Sequence, residues 1–314
     1  MAADMATKAP PAPPPPPSPW DVAITAALMT DYNFRGITQS NHSASTQAGF
    51  ELRYTQSPTL QYYAGISGES IDFPNHAAAE IDFYGGFRPT FDKLALDFGF
   101  WYYAYPGGQC DYSVFGAKAG CNPSLANGNV AKQAANFYEW YGKATYTVND
   151  QWAFGIQEWY SPSVANTGSV GWFTTGNATW TAPSTWFSNG VGMAISADLG
   201  YWALGKSDAF YGTGALFGFP GQTLASANAG DPYKSYWTWD VGVDFTWKAF
   251  TLDLRYYDTN LNKGDCNAFT SDYTAGSAGG PYVTAANPGG QGSNWCSAAF
   301  IAKLSFATNL SNIK

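Results

Sequence analysis

Residues 79–105, AEIDFYGGFRPTFDKLALDFGFWYYAY, hold two runs of alternating side chains joined by a short polar turn. In the first run Ile81, Phe83 and Phe87 fall on one side, and Glu80, Asp82, Tyr84 and Arg88 on the other. In the second, Leu94, Leu96, Phe98, Phe100 and Tyr102 share a side opposite Asp97, Trp101 and Tyr103. Successive residues of a strand point to opposite faces, so each set marks one face of a sheet. Strands of soluble sheets average about 5–6 residues. These runs are about twice as long, close to the roughly 9–11 residues that a tilted strand needs to cross a bilayer. The pair reads as two staves of a transmembrane barrel, with lipid against the apolar face and a polar lumen behind the other.

The chain divides into twelve such runs, at about 21–36, 45–57, 59–72, 79–90, 93–105, 135–148, 151–161, 169–181, 190–204, 234–247, 249–260 and 295–307. Tight links join runs two and three at Ser57-Pro58, four and five around Phe91-Asp92, six and seven at Asn149-Asp150, and ten and eleven near Lys248. Residues 183–189, between eight and nine, form a slightly longer one. The remaining connections, 37–44, 73–78, 106–134, 161–168, 205–233 and 261–294, are mostly long. Outer-membrane barrels alternate short periplasmic turns with longer external loops, and a soluble sandwich has no reason to do so. The expected fold is therefore all-β, an antiparallel up-and-down transmembrane barrel of about twelve strands. It forms a single domain, residues 21–314, behind an arm formed by residues 1–20. Residues 8–19 of that arm are a proline tract, which cannot join a ladder and reads as a disordered, extended periplasmic spacer. The opening lacks an apolar signal region, and Ala2-Ala3-Asp4 reads as the mature side of a cleaved export signal.

Charged residues make up 12% of the chain, about half the usual share for a globular domain, while aromatics reach 18%. Few charges with many Tyr and Trp suit a barrel with aromatic girdles. A soluble propeller or carbohydrate-binding sandwich would share that composition, but not the strand length or the loop pattern. Mean hydropathy is −0.23, as expected when apolar and polar residues alternate. No run of about 18 apolar residues exists, which excludes a helical membrane protein. A net charge of −8 argues against nucleic acid as a partner. Membrane lipid and lipopolysaccharide are the expected surroundings. The four cysteines, Cys110, Cys121, Cys266 and Cys296, fall in or beside Gly/Asn/Ser-rich loops and read as two disulfides of an oxidising compartment. Pairing within each loop, Cys110 with Cys121 and Cys266 with Cys296, is the simplest of the three connectivities.

The segments TDYNFRGITQS (30–40), AEIDFYGGFRPT (79–90), LALDFGFWYYAYPG (94–107), YEWYGKATY (138–146) and DLRYYDTN (253–260) resemble the TorF-family porins of Gram-negative bacteria. The likeness runs over roughly residues 19–306 and has an alphaproteobacterial flavour. The resemblance implies an outer-membrane β-barrel and says little about substrate. It departs at the C-terminus, where Phe306 is followed by ATNLSNIK although many outer-membrane barrels end in an aromatic residue.

No G-x-S-x-G, P-loop or HExxH motif is present. The string Asn41-His42-Ser43 contains residue types used by some outer-membrane phospholipases, but three adjacent residues do not make a triad, and a solvated loop histidine is the plainer reading. No second ligand accompanies His42 or His76, and the spacing of loop residues Asp265 and Asp272 does not build a calcium loop. Neither catalysis nor any metal or cofactor is expected. The informative residues lie on the inward parity. They are the acids Asp31, Glu51, Glu69, Glu80, Asp82, Asp97, Glu139, Asp198, Asp240, Asp244 and Asp253, and the bases Arg35, Arg53, Arg88, Lys143, Arg255 and Lys303. Such charges either pair and lock a filled interior or line a water-filled path that selects permeants. Glu158 falls on the lipid parity, so a bulge or an interfacial position is expected there.

The leading expectation is passive diffusion of small solutes or ions across the outer membrane, with a cation preference from the inward surplus of acids. The alternative is a structural barrel whose arm, residues 2–19, anchors the membrane to peptidoglycan or a periplasmic partner. An outer-membrane hydrolase comes third. The oligomeric state leaves no mark in the sequence.

Overall fold

The structure is a computed structural model and describes residues 18–112, 120–123, 125–187, 189–212 and 230–312. The proline-rich arm, up to residue 17, lies outside the described residues. In chain order the strands are β1 (Trp20–Met29), β2 (Asn33–Phe34), β3 (Ile37–Thr38), β4 (Ser45–Ser57), β5 (Leu60–Glu69), β6 (Glu80–Phe91) and β7 (Leu94–Ala104). They continue as β8 (Phe137–Thr147), β9 (Trp152–Ser161), β10 (Gly171–Thr181), β11 (Val191–Leu204), β12 (Tyr236–Trp247), β13 (Phe250–Thr259) and β14 (Ala299–Asn309). All but β2 and β3 belong to one closed antiparallel barrel of twelve strands. The ring closes where β14 meets β1, with Ala23 opposite Asn309 and Met29 opposite Lys303. Closure leaves no sheet edge, so every strand satisfies its backbone groups on both sides, as a lipid environment requires.

One end of the barrel carries the tight turns and the other the long loops. Asp92 and Lys248 turn two of the tight hairpins with left-handed backbone, φ 50° and 53°. Outward positions form a broad apolar belt that includes Phe50, Phe83, Phe98, Phe154, Ile156, Leu199 and Leu304, all exposed on the isolated chain. Exposed tryptophans ring it at both ends, with Trp20, Trp152 and Trp247 at the turn end and Trp140, Trp172 and Trp237 at the loop end. This belt-and-girdle pattern is the one a bilayer-spanning barrel needs. Glu158 does face outward. Its strand is unbroken there, opposite Gly142 on β8 and Thr174 on β10, so no bulge is involved. The Thr174 hydroxyl donates to its carboxylate, and it sits among Tyr160, Trp140 and Trp172 of the loop-end girdle.

Two expected strand boundaries are corrected. The first run stops at Met29 instead of reaching residue 36. Alternation persists through Asp31, Asn33 and Arg35, but Arg35 and Gly36 adopt φ 52° and 82° and reverse the chain into the short β2–β3 hairpin. Asp31 and Arg35 are therefore carried by an inserted segment and not by a wall strand. The last strand begins at Ala299 instead of 295, so Trp295 and Cys296 belong to the loop that covers the barrel mouth. Both disulfides form within their loops, Cys110–Cys121 and Cys266–Cys296, as the simplest pairing has it.

The parity assignment predicts a sharp contrast on β7. An arginine at Leu96 or Phe98 faces the apolar belt and should destabilise the barrel by roughly 2–4 kcal/mol in lipid. Parity alone would make Asp97 the tolerant neighbour. It is not a neutral control, because its carboxylate accepts from Tyr63 Oη at 2.5 Å and pairs with Arg88 at 3.3 Å. Ala95, inward and exposed near the turn end, is the better one. Urea titration in vesicles should rank Phe98→Arg and Leu96→Arg well below Ala95→Arg, and equal losses would reverse the faces.

Candidate functional site

The loop end of the lumen is filled by residues 30–44, which follow β1 and fold inward. Gly36 sits at the tip of the β2–β3 hairpin, and a side chain there would run into Thr238 and Thr259 of the wall. Asn33 Oδ1 accepts from the Gly36 amide at 2.9 Å, which closes the turn. That turn projects Arg35 into the lumen. Its guanidinium donates to both oxygens of Glu139 on β8, at 2.9 and 2.7 Å. The two side chains are only 6% and 1% exposed. Tyr103 Oη also donates to Glu139, at 3.1 Å. The guanidinium carbon lies 4.6 Å from the ring centre of Phe34, 4.4 Å from Phe173 and 4.5 Å from Trp202. A planar, weakly hydrated cation is suited to such a cage, where desolvated cation–π contacts are worth about 2 kcal/mol or more. Tyr236 Oη, on β12, holds the Arg35 carbonyl at 2.9 Å.

Above this hairpin the long loops interlock. A short helix, α1 (Lys263–Thr270), is tied to residue 296 by its disulfide, and Cys266, Cys296, Trp295 and Ile37 share one apolar cluster with Phe173, Trp202 and Tyr236. Asp31 accepts from Thr38 at 2.5 Å, from Ser40 at 2.9 Å and from His42 Nδ1 at 2.9 Å. The amide of Thr38 donates to the Trp295 carbonyl at 2.9 Å. Asn127 and Asn129 bridge the loop after β7 to the carbonyl of Asp272, at 2.7 and 2.8 Å. A cavity of about 110 Å³ remains over the plug, with Phe34, Phe73, Tyr105, Phe137, Trp202 and Phe269 among its walls.

Toward the turn end the lumen is walled by two charge clusters. On β4, β6 and β7, Arg88 donates to both oxygens of Glu51 at 2.8 and 2.9 Å and reaches Asp97, while Arg53 holds Glu51 at 2.6 Å. Arg88 also lies 3.6 Å above the Tyr63 ring. On the opposite wall Arg255 of β13 is surrounded by four carboxylates, with Asp240 at 2.5 Å, Asp253 at 3.1 Å, Asp244 at 3.8 Å and Asp198 at 4.0 Å. Gly242 stands opposite Arg255, and a side chain there would meet the guanidinium. Aspartates 240 and 244 have no base on their own strand, and the base they use comes from the next one. Lys143 lies over the rings of Tyr141 and Trp159, and Lys303 reaches Gln47 at 3.4 Å. Between the plug and this wall is a cavity of about 250 Å³, bounded by Arg35, Gln157, Trp159, Asp198, Asp240 and Tyr257 among others. Glu69, Glu80 and Asp82 form a third group, buried at the loop end of β5 and β6.

Sequence parity thus placed the wall residues inward, but it missed the cage of Phe34, Phe173 and Trp202 and the part played by Tyr236. The signal for the inserted hairpin was the Asn33-Phe34-Arg35-Gly36 turn. The ring nitrogens of His42 engage Asp31 and Asn294 instead of Ser43. Nε2 lies 3.1 Å from the carbonyl oxygen of Asn294.

The ring of His42 therefore faces two acceptors, Asp31 and Asn294, and bridges the plug to the covering loop. The hydrogen bond with Asp31 is the main cause that raises its pKa above the ordinary value of 6.5. Partial burial opposes the rise and the Asn294 carbonyl adds to it. A raised folded-state pKa stabilises fully below the unfolded value and is lost as pH climbs through the folded value. The difference in unfolding free energy between the native protein and His42→Gln should therefore be largest below about pH 6.5 and shrink above it. It should stay within about 1 kcal/mol, because the side chain is 37% exposed and screened by solvent. A difference that is constant from pH 5 to 9, measured by urea titration, would contradict the bridge.

Among solved structures the chain is similar to the NanC porin, with 9% identity over 91% of this chain and 98% of that one, at a TM-score of 0.41. It is similar to the KdgM porin, at 9% identity over 91% and 98% and a TM-score of 0.40. It is also similar to OmpT, an outer membrane protein of Vibrio cholerae, at 10% identity over 92% and 98% and a TM-score of 0.36. At these scores the likeness carries no argument about function. No curated protein matches the sequence. A family described only as a bacterial protein of unknown function, Gcw_chp, matches residues 14–207, and that description does not mention the TorF porins. The match takes in more than half of the chain, which therefore belongs to the Gcw_chp family.

Proposed function

We propose that this protein is an outer-membrane, porin-like barrel of a Gram-negative bacterium, related in type to the TorF porins that its sequence segments resemble. In this reading small solutes or ions cross it by diffusion along a narrow path whose outer end is gated by the segment 30–44. The observation that carries the reading is the asymmetry of the lumen. The loop end is occupied by an inserted hairpin held by one ion pair, whereas the lumen beneath it keeps the partly exposed Asp198 and Asp240 beside a cavity of about 250 Å³. A barrel that served only as a rigid anchor would have no need of solvated carboxylates there. The reading is non-catalytic. It is supported by the engagement of both ring nitrogens of His42 with Asp31 and Asn294.

The expected preference is for cations. Four carboxylates face a single guanidinium on the β11–β13 wall, and Asp198 and Asp244 are the more exposed of the four, at 30% and 28% of their side chains. On the facing wall Glu51 and Asp97 are matched by Arg53 and Arg88. Between these two clusters the surplus lies on the β11–β13 side, and a field of that sign draws cations and fades as salt rises.

In planar bilayers the native protein should give small conductance steps, and Arg35→Ala should enlarge them or raise their frequency several-fold by freeing the hairpin. Reversal potentials across a KCl gradient should have the cation-selective sign, moving toward zero in the Asp198→Asn/Asp244→Asn variant. Anion preference would overturn the electrostatic reading. Silence from both the native protein and Arg35→Ala would favour the structural alternative, a barrel that acts through its N-terminal arm on peptidoglycan or a periplasmic partner.

A further inference from the structure

We propose that Glu69, Glu80 and Asp82 form a binding site for a divalent cation of calcium's size, set in the barrel wall beside the plug. Glu69 is the last residue of β5 and Glu80 the first of β6, and the strand register places them directly opposite each other. Asp82 follows two residues later on the same inward face. Each of the three offers a carboxylate oxygen within 4.8 Å of the others, and the residues are 3%, 2% and 3% exposed. Among the described residues none of them takes part in an ion pair. The nearby Lys303 reaches Gln47, which in turn donates to Glu69.

A group of acids alone would say little. The unpartnered atoms say more. Glu69 Oε2 and Asp82 Oδ1 are buried and have no hydrogen-bond partner. The other oxygens are already held by donors from outside the group. Gln47 donates to Glu69 Oε1 at 2.7 Å, and Ser67 to Asp82 Oδ2 at 3.4 Å. Tyr32 and Tyr105 donate to the two oxygens of Glu80, at 2.6 and 2.8 Å. Outer groups that fix one oxygen of Glu69 and of Asp82 and leave the other free are the usual frame of a metal site, and each Glu80 oxygen keeps a second lone pair for an ion. Leaving a buried oxygen unpaired is costly, and three neighbouring carboxylates repel one another. One dication relieves both.

The all-oxygen donor set selects a hard cation. Calcium binds oxygen at about 2.3–2.6 Å, so two of its ligands lie at most roughly 4.6–5.2 Å apart, whereas magnesium allows only about 4.0–4.2 Å. The oxygens lie within 4.8 Å of one another, inside calcium's reach, and a buried set of protein ligands suits an ion that sheds water more readily than magnesium. Tyr32 belongs to the plug, so the ion and the seated plug meet at Glu80. The site stands whether or not the lumen conducts.

The test uses the full chain, folded in detergent without lipopolysaccharide, stripped with EDTA and titrated calorimetrically with CaCl₂ and separately with MgCl₂. One calcium per chain is expected, with magnesium weaker. Glu69→Gln/Asp82→Asn should weaken calcium binding roughly tenfold or more, as loss of ligands does. Asp150→Asn, which removes an exposed carboxylate in a tight turn at the other end of the barrel, should leave it unchanged. Folding is checked by heat-modifiable gel migration, and if the double variant does not fold, Glu69→Gln alone is read in its place. A folded native protein without stoichiometric calcium binding at millimolar concentration would overturn the site and mean that protons relieve the repulsion. Binding that survives in the Glu69 variant, or is lost in Asp150→Asn, would equally overturn it.

Discussion

The pairing of Arg35 with Glu139 is the interaction on which the arrangement of the lumen depends. Both side chains are almost fully removed from solvent, and stripping two charges of water costs several kcal/mol for each ion. That cost is met only by near-ideal geometry, and the contacts are of that kind. The fork of the guanidinium meets both carboxylate oxygens, Tyr103 takes up further hydrogen-bonding capacity of the carboxylate, and three aromatic rings cover the cation. Each requirement fixes a different element. Glu139 and Tyr103 belong to β8 and β7, Phe173 and Trp202 to β10 and β11, and Arg35 and Phe34 to the inserted hairpin. The hairpin therefore has one place to sit. Loss of either charge would strand the other, at a cost of about 3–5 kcal/mol for a pair of this kind.

Seating the hairpin organises what lies above and below it. Above, its Ile37, Thr38 and His42 supply the surface on which Trp295 and the Cys266–Cys296 loop rest. Below, it roofs the cavity between the Arg255 cluster and Trp159. The barrel thus divides into an upper half of aromatic rings and buried charges and a lower half whose charges are partly exposed. The wall charges are not independent, because Arg88 and Arg255 each serve several acids across neighbouring strands. Arg88 links β6 to β4 and β7, and Arg255 links β13 to β12 and β11. Such links across the sheet brace the barrel while leaving a net negative side.

Much of this fold is legible from residue order because a barrel strand has one apolar and one polar face along its whole length. The tight turns fix register on both sides, so the wall runs of β6 with β7 and of β12 with β13 can be read almost residue by residue. Alternation fails as a guide where the chain leaves the sheet without breaking the pattern. Asp31, Asn33 and Arg35 keep the inward parity, yet they lie in a loop, and only the Arg35-Gly36 reversal marks the departure. The carboxylate group was hidden for a related reason. Glu80 and Asp82 are visibly neighbours, but Glu69 joins them through a strand register set by ten intervening residues, 70–79, whose path the sequence does not specify. In the same way the base for Asp240 and Asp244 lies on another strand. Long-range placement by loops is a tertiary property, and period-two patterning carries no information about it.

The Arg35–Glu139 contact itself, and not merely the bulk of the two side chains, seats the plug. A double-mutant cycle with Arg35→Met, Glu139→Gln and the combined variant, followed by equilibrium urea unfolding in lipid vesicles, isolates that contact. A coupling energy of at least about 1.5 kcal/mol is expected, in the range measured for close, desolvated charge pairs. Losses that add to within about 0.3–0.5 kcal/mol would contradict it, because independent sites behave in that way.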